Sequence, residues 1–489
     1  MPVRLSIANL PGLKGGVDVP RYRRSALKAG IVHFGVGNFH RAHQAIYIDD
    51  LFNLGDSLDW AVIGAGVLPS DETMREKLAS QDYLTTVVEQ EAHRNVARVT
   101  GPMVDFVSPA DKSTLRRTLA DTAIRIVSLT VTEGGYFIDP ATGKFNSRDP
   151  AILRDASHPD APATVFGIIV QALADRRRAA TRPFTVMCCD NIPHNGEVTR
   201  NTVTGLALLI DPELASWITD NVSFPNAMVD RITPATGDAE REFVRKEFEI
   251  VDQWPVLCEE FKQWVMEDKF PTGRPNFHKV GVQFVPDVTP YELTKLRILN
   301  GGHAAIAYPA GLLDVQFVHQ AMEHRLIGAF LHKLEHEEII PHVPVVPEMS
   351  REDYFALVVR RFSNPKIKDT IRRIALDGSN RQPKFILPVV FDRLAAGKDV
   401  KGLALVSASW ARYCAGKSDS GAEIAPNDPN WDRLQTFAKK AERDPETFLS
   451  MDEIFGPLAK DKRYVSAFVE AYRLLKNRGT REALATYVA

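Results

Sequence analysis

Residues 30–51, GIVHFGVGNFHRAHQAIYIDDL, constrain this chain more than any other stretch. Ile31–Val36 is a short apolar run with β-branched residues, the pattern of a buried strand. Gly35 and Gly37 interrupt it, and behind them Ala45, Ile46, Ile48 and Leu51 recur with helical spacing. Strand, glycine turn, helix is the opening of a βαβ unit. It commits this part of the chain to an α/β sheet whose ligands lie at the carboxyl ends of the strands. Gly35 permits a tight turn. Gly37 lets a pyrophosphate approach the backbone, and the helix start at Asn38 and Phe39 offers N–H groups to it. His40 stands where G-x-G-x-x-G would have its third glycine, so the stretch reads either as a dinucleotide site or as a structural turn.

More strands follow. Trp60–Ala65 ends without the acidic residue that would hold a ribose. Asp71 is the first acid after it, placed to accept from a 2′-hydroxyl, to cap the next helix, or both. No Arg or Lys lies between Trp60 and Arg75 to meet a 2′-phosphate, which favours NAD over NADP. RIVSLTV (125–131) and PFTVMCCDN (183–191) read as buried strands. Asn191, at the exit of the second, either donates its amide to a reacting oxygen or forms an Asx turn. In SFPNAMVDRITP (223–234), Asp230 and Arg231 are expected to form an internal ion pair.

From residue 287 the strand pattern gives way to helical periodicity at 315–338, 351–361, 366–376, 386–397, 402–415, 431–442 and 463–476. The expected fold is an α/β Rossmann-type domain over 1–286 followed by a mainly α-helical domain over 287–489. The second domain opens on TPYELTKLRILNGGHAAIAYP (289–309), expected to be one helix capped by Thr289 and Glu292 and stopped by Pro309. At about 100° per residue, Lys295, His303 and Asn300 fall at ~0°, ~80° and ~140° on one broad face. They are either three converging catalytic groups or a solvated lysine, a capping asparagine and a core histidine. Gly301-Gly302 costs helix stability, about 1 kcal/mol per glycine, so something is expected to approach the backbone there.

Composition narrows the partners. Lys and Arg number 60 against 62 Asp and Glu, with no long basic tract, which argues against nucleic acid and anionic membranes. No apolar run reaches the ~18–20 residues of a membrane span, and the first twenty residues lack a signal-peptide apolar core. The four cysteines, Cys188, Cys189, Cys258 and Cys414, have no zinc-type spacing. Together these features lead us to expect reduced thiols in a cytoplasmic protein without a metal.

GVGNFHRAH, LTVTEGGY, CDNIPHNG, FPNAMVDRITP and the Lys295–Asn300–His303 spacing together resemble the polyol-specific long-chain dehydrogenase/reductases. So do WPVLCEEF (254–261), QWVMEDKF (263–270) and RFSNP (361–365). The resemblance runs from about residue 30 to the C-terminus. It implies metal-independent, NAD-dependent oxidation of D-mannitol, and of polyols such as D-arabinitol, to the 2-ketose, with the reverse reduction. It implies Lys295 as general base, Asn191 and Asn300 as donors to the developing alkoxide, and His303 as an orienting group. It also implies Gly35, Gly37, Asn38, Phe39 and Asp71 at the cofactor, and Asp230, Arg373, Arg381 and Lys384 along the polyol chain. Ser70 stands where relatives often carry a second acid, and Asn38 replaces a glycine common in this turn. A monomer is expected. Two other readings share this architecture: a uronate reductase of the fructuronate or tagaturonate type, and a mannitol-1-phosphate dehydrogenase. A non-enzymatic dinucleotide sensor is disfavoured by the intact Lys–Asn–Asn–His set.

Overall fold

The computed structural model describes residues 2–13, 15–139 and 143–489. It divides into two compact units between Val288 and Thr289.

The first unit is built on a five-stranded parallel sheet. Its strands are β1 (Ala29–Phe34), β2 (Ala61–Ala65), β3 (Met103–Val107), β4 (Ile126–Leu129) and β5 (Thr185–Cys188), in the order β3-β2-β1-β4-β5. Both faces are covered, as a parallel sheet requires. Val32 and Phe34 enter one core with Leu129, Phe166, Ile169 and Val186. Ile31, one residue away and so on the opposite face, enters another with Tyr47, Leu51, Trp60, Val62 and Trp264. Three smaller sheets accompany it. One joins Val256–Glu259, Thr85–Gln90, Asn95–Thr100 and Val17–Asp18; one joins Ala227–Asp230, Gln263–Glu267 and Gln283–Val285; one pairs Val3–Arg4 with Ile250–Val251.

The helix after the glycine turn is two helices. Asn38–Ala42 ends at His43, whose backbone (φ −122, ψ −84) leaves helical geometry, and Gln44–Asn53 starts afresh. The expected Asp230–Arg231 pair is also revised. Arg231 directs its guanidinium to Glu89 at 2.5 Å and to the carbonyls of Glu259 and Ala42.

The second unit is helical around Gly301–Leu312, in which every residue except Gly311 is buried. Lys401–Tyr413 packs on this helix and on Lys462–Val488, which continues across a kink at Gly479 (φ 80). The periodic stretch 315–338 is broken at His324. That residue is extended (φ −71, ψ 109), and its ring accepts from the Ile327 N–H to start a new helix. The stretch 366–376 shrinks to Ile371–Ile374, capped by Thr370.

The expected single helix over 289–309 differs most. Thr289–Thr294 is α-helical, Lys295–Asn300 is a π-helical turn, and Gly301–Leu312 returns to α geometry. Pro309 does not stop it. The proline removes one backbone donor, but Ile306, Ala307, Ala310 and Leu312 are fully buried, and tertiary packing of that kind outweighs one lost bond. Two further π turns, Glu335–Ile339 and Gln382–Ile386, pack against the first.

Candidate active site

In the first unit the loops at the carboxyl ends of β1, β2, β4 and β5 carry the candidate residues. Gly35 has φ +90, and a Cβ there would lie 2.0 Å from the Thr130 carbonyl oxygen, so only glycine fits. The bond from Thr130 Oγ1 to the Gly35 carbonyl (2.7 Å) ties the turn to the end of β4. At Gly37 a Cβ would meet nothing nearer than the Gly35 carbonyl at 3.8 Å. The backbone is therefore open there, as a cradle for a dinucleotide diphosphate must be. Asn38 is committed elsewhere: its Nδ2 donates to Pro234 O and Thr236 Oγ1 (both 3.0 Å), and its Oδ1 accepts from Arg41 and from the Trp254 indole. The Phe39 ring stacks on His43 (5.0 Å between centroids). What these two residues can offer a ligand is thus a held backbone rather than a free side chain.

His40 takes the place of the third glycine by lying flat. Its ring stacks on His33 with centroids 3.6 Å apart and planes 19° from parallel. Burial keeps both imidazoles neutral, holding His33 down at about 3 and His40 well below the ordinary histidine range.

Asp71 follows β2. Its Oδ2 accepts from the N–H groups of Val67 (2.8 Å) and Leu68 (2.9 Å), which fixes the carboxylate at the head of the helix Asp71–Ala79. At the other end of the sheet, Asp190 joins two loops: it accepts from Val131 N (2.8 Å), Thr132 N (3.0 Å) and Tyr136 Oη (2.6 Å). Asn191 comes next, just past the carboxyl end of β5, on a loop anchored by its neighbour. Asp230 closes the strand Ala227–Asp230 and is buried.

In the second unit the π turn sets the geometry. In an α-helix residue i+5 lies ~140° around the axis from residue i. In a π turn the i→i+5 hydrogen bond places it one turn above, and the Gly301 N–H indeed reaches back to Leu296 O. Asn300 therefore rises over Lys295 rather than beside it, and His303 follows three residues on. Lys295 and His303 are both buried. His303 stacks on Phe362 (4.0 Å, 10°), and its Nε2 meets no hydrogen-bonding partner; neither does Asn300 Oδ1. Burial, then the charges of Arg373, Arg381 and Arg361, holds His303 well below the ordinary range, so it is a neutral imidazole under three guanidinium fields.

Arg373 is exposed and clamped by both oxygens of Asp369. Arg381 donates to Ile374 O at 2.8 Å, and Lys384 is exposed on the third π turn. A Cβ on Gly302 would sit 3.2 Å from Glu335 Oε1 and 3.5 Å from Phe362, so the close approach expected at the glycine pair is made by Glu335 and Phe362. Glu335 is completely buried with neither oxygen hydrogen-bonded, and desolvation keeps it protonated far above the usual carboxylate range. Among the described residues no three His, Cys, Asp or Glu side chains cluster as a bound metal would require.

Residues 29–279 match the mannitol dehydrogenase Rossmann domain, and residues 287–476 match the mannitol dehydrogenase C-terminal domain. The chain belongs to the mannitol dehydrogenase family. Within that family it is 56% identical over 474 residues to a mannitol 2-dehydrogenase of Cereibacter sphaeroides, covering 97% of this chain and 99% of that one. It is 40% identical to one from Emericella nidulans, covering 100% and 99%. Among solved structures it superposes on the Pseudomonas fluorescens mannitol 2-dehydrogenase ternary complex with NAD and D-mannitol (TM-score 0.90, 42% identity, 99% of each chain). It also superposes on a D-sorbitol dehydrogenase in substrate-free form (0.91, 35%, 98% and 100%). Three residues in contact with these candidates do not stand out in the sequence: Arg41, Phe362 and Glu335. The first two stand inside quoted motifs, FHRAH and RFSNP. Glu335 carries no local signal, because only the fold buries it.

Proposed function

We propose that this chain is an NAD-dependent mannitol 2-dehydrogenase, oxidising D-mannitol and related polyols to the 2-ketose and reducing the ketose in reverse. The observation that carries the reading is the π turn that stacks Asn300 over Lys295, one helical turn before a neutral His303. It occurs in a chain similar over 99% of its length to a mannitol 2-dehydrogenase solved with NAD and D-mannitol.

Gly35, the open backbone at Gly37, Asn38 and Phe39 hold the dinucleotide, with Asp71 at its ribose. When bound, NAD+ supplies the acceptor for the hydride of the oxidised carbon. The chain's own residues manage the proton and the oxygen. Lys295, as neutral amine, takes the hydroxyl proton on Nζ and returns it from the ammonium in reduction. Asn191 and Asn300 direct amide N–H groups at the oxygen as it gains negative charge. His303 presents Nε2 to the neighbouring hydroxyl. Asp230, Arg373, Arg381 and Lys384 bind the remaining hydroxyls. The sheet of guanidinium charge facing His303 would also suit a carboxylate substrate of the uronate kind, although Asp369 already matches Arg373.

We further propose a cytoplasmic monomer. No helix among the described residues is long and apolar enough to cross a membrane, and the four free, buried cysteines fit a reducing compartment.

The test is a panel of D-mannitol, D-arabinitol, D-sorbitol and fructuronate with NAD+ or NADP+ (NADH or NADPH for fructuronate), on native and Lys295→Ala protein. We expect mannitol with NAD+ to lead and Lys295→Ala to lose at least ~10²-fold in turnover at pH 8–10. Turnover within a few-fold of native would overturn the lysine, and a fructuronate lead would overturn the substrate.

A further inference from the structure

Arg41 is a buried cation without an anion. It lies four residues beyond Gly37 and is 2% exposed. Its Nε donates to the Gly37 carbonyl (3.3 Å), one terminal nitrogen to Asn38 Oδ1 (2.8 Å) and the other to the Trp254 carbonyl. All three acceptors are neutral, and among the described residues no carboxylate reaches ion-pair distance. Asp252, whose charge is felt there, is already occupied by Gln81 Nε2 (2.9 Å), Thr86 N (2.7 Å) and Trp254 N (2.7 Å).

Two other buried arginines of this unit show how the fold normally treats such a charge. Arg231 meets Glu89 at 2.5 Å. Arg176 has no carboxylate, but it donates to the carbonyls of Leu119, in the last turn of the helix Lys112–Ala120, and of Asp121 and Ile124 just past it, where the helix dipole is negative. Arg41 has neither a carboxylate nor the carbonyls of a helix C-terminus among its acceptors. It is the fourth residue of the five-residue helix Asn38–Ala42, and its Nε turns back to the Gly37 carbonyl at the start of that helix. Lys77 brings an ammonium to 4.0 Å over the Trp254 ring. Desolvation accordingly pulls the guanidinium down to about 10. Buried charge of this kind is stable only when something compensates it. The backbone that Arg41 holds, Gly37 and Asn38, is the open part of the turn.

We infer that Arg41 is the built-in counter-charge for the diphosphate of the dinucleotide, acting from beneath the glycine turn while fixing the Gly37 carbonyl. The inference rests on the NAD reading above. Arg41 is a positioning residue: it works through the turn and through its field, so the ligand should respond in proportion to its negative charge.

Calorimetric titration of the full-length protein with NAD+, ADP and adenosine tests this. In native protein ADP should bind at least about tenfold tighter than adenosine. Arg41→Gln should weaken NAD+ and ADP by about tenfold or more and leave adenosine within about twofold, while Arg41→Lys should keep most of the ADP preference. Equal weakening of ADP and adenosine in Arg41→Gln would mean a merely structural arginine and overturn the inference. So would loss of the preference in Arg41→Lys. If neither variant folds, the native protein decides: parity between ADP and adenosine overturns it. Failure of the native protein to bind NAD+ at all would instead remove the cofactor reading.

Discussion

Gly35 and Gly37 are two residues apart, yet alanine at each should do different things. At Gly35 the added Cβ would face the Thr130 carbonyl at 2.0 Å and its carbon at 2.6 Å, against a floor near 3.0 Å for real contacts. The end of β4 must therefore retreat by about 1 Å, breaking the bond from Thr130 Oγ1 to Gly35 and the one between His33 and Thr130. The left-handed backbone adds ~1–2 kcal/mol and the overpacking ~1–3 kcal/mol, so Gly35→Ala should lose about 2–5 kcal/mol. At Gly37 the backbone is extended (φ −97, ψ −172) and the nearest atom is 3.8 Å away. A small loss at the N-cap is offset by a stiffer unfolded chain, leaving stability within ~1 kcal/mol of native. Only the ligand would meet the new methyl. NAD+ affinity should fall at least tenfold, ~1.4 kcal/mol. Urea unfolding and NADH fluorescence titration on both variants provide the two readings. If Gly37→Ala binds NADH like the native protein, the diphosphate does not pass over Gly37 and the cradle has been misplaced. If Gly35→Ala unfolds at the native midpoint, the steric argument is wrong.

Asn300→Ala should cut the rate of hydride transfer by ~10²–10³ while shifting the NAD+ dissociation constant by less than threefold; a transient-kinetic burst measurement separates the two, and equal effects would refute the assignment. Gly302→Ala gains ~1 kcal/mol of helix propensity but presses on Glu335 and on Phe362, which stacks on His303, so turnover should fall several-fold with little change in melting temperature; unchanged turnover would contradict it. Glu335 binds a proton in the folded protein that the unfolded chain releases from about pH 4.3 upward, so its contribution destabilises progressively as pH rises from there toward its raised folded value. Glu335→Gln removes that slope, and its urea midpoint should gain on native protein between pH 5 and pH 8; parallel curves would show that the carboxyl is not held neutral.

The glycine turn, the five parallel strands and the helical second half were legible because each depends on local pattern: apolar runs bounded by glycine, or a 3.6-residue period. Lys295, Asn300 and His303 stood out as candidates from spacing and resemblance, but their arrangement did not. Nothing in KLRILN distinguishes a π turn from an α turn; the choice is made by the packing of two other π turns against it. The break at His43 escaped for a similar reason, since His43 Nε2 turns to donate to the Gln263 carbonyl, 220 residues away in sequence. Arg41 and Glu335 look like ordinary surface charges in the sequence, and only the surrounding fold shows that one lacks an anion and the other lacks any partner.

The π turn also fixes the length of the chain at that point. Removing any single residue among 296–299 would let the segment close as an ordinary α-helix, with better hydrogen bonds and an intact apolar face further on. The same deletion would make Asn300 the fourth residue after Lys295, ~40° around the axis, so the two would stay one above the other in α geometry. Such a variant would keep that pair stacked and lose only the widened backbone of the turn. For anyone redesigning this scaffold, the residue count there sets the width of the turn, not which residues share its face.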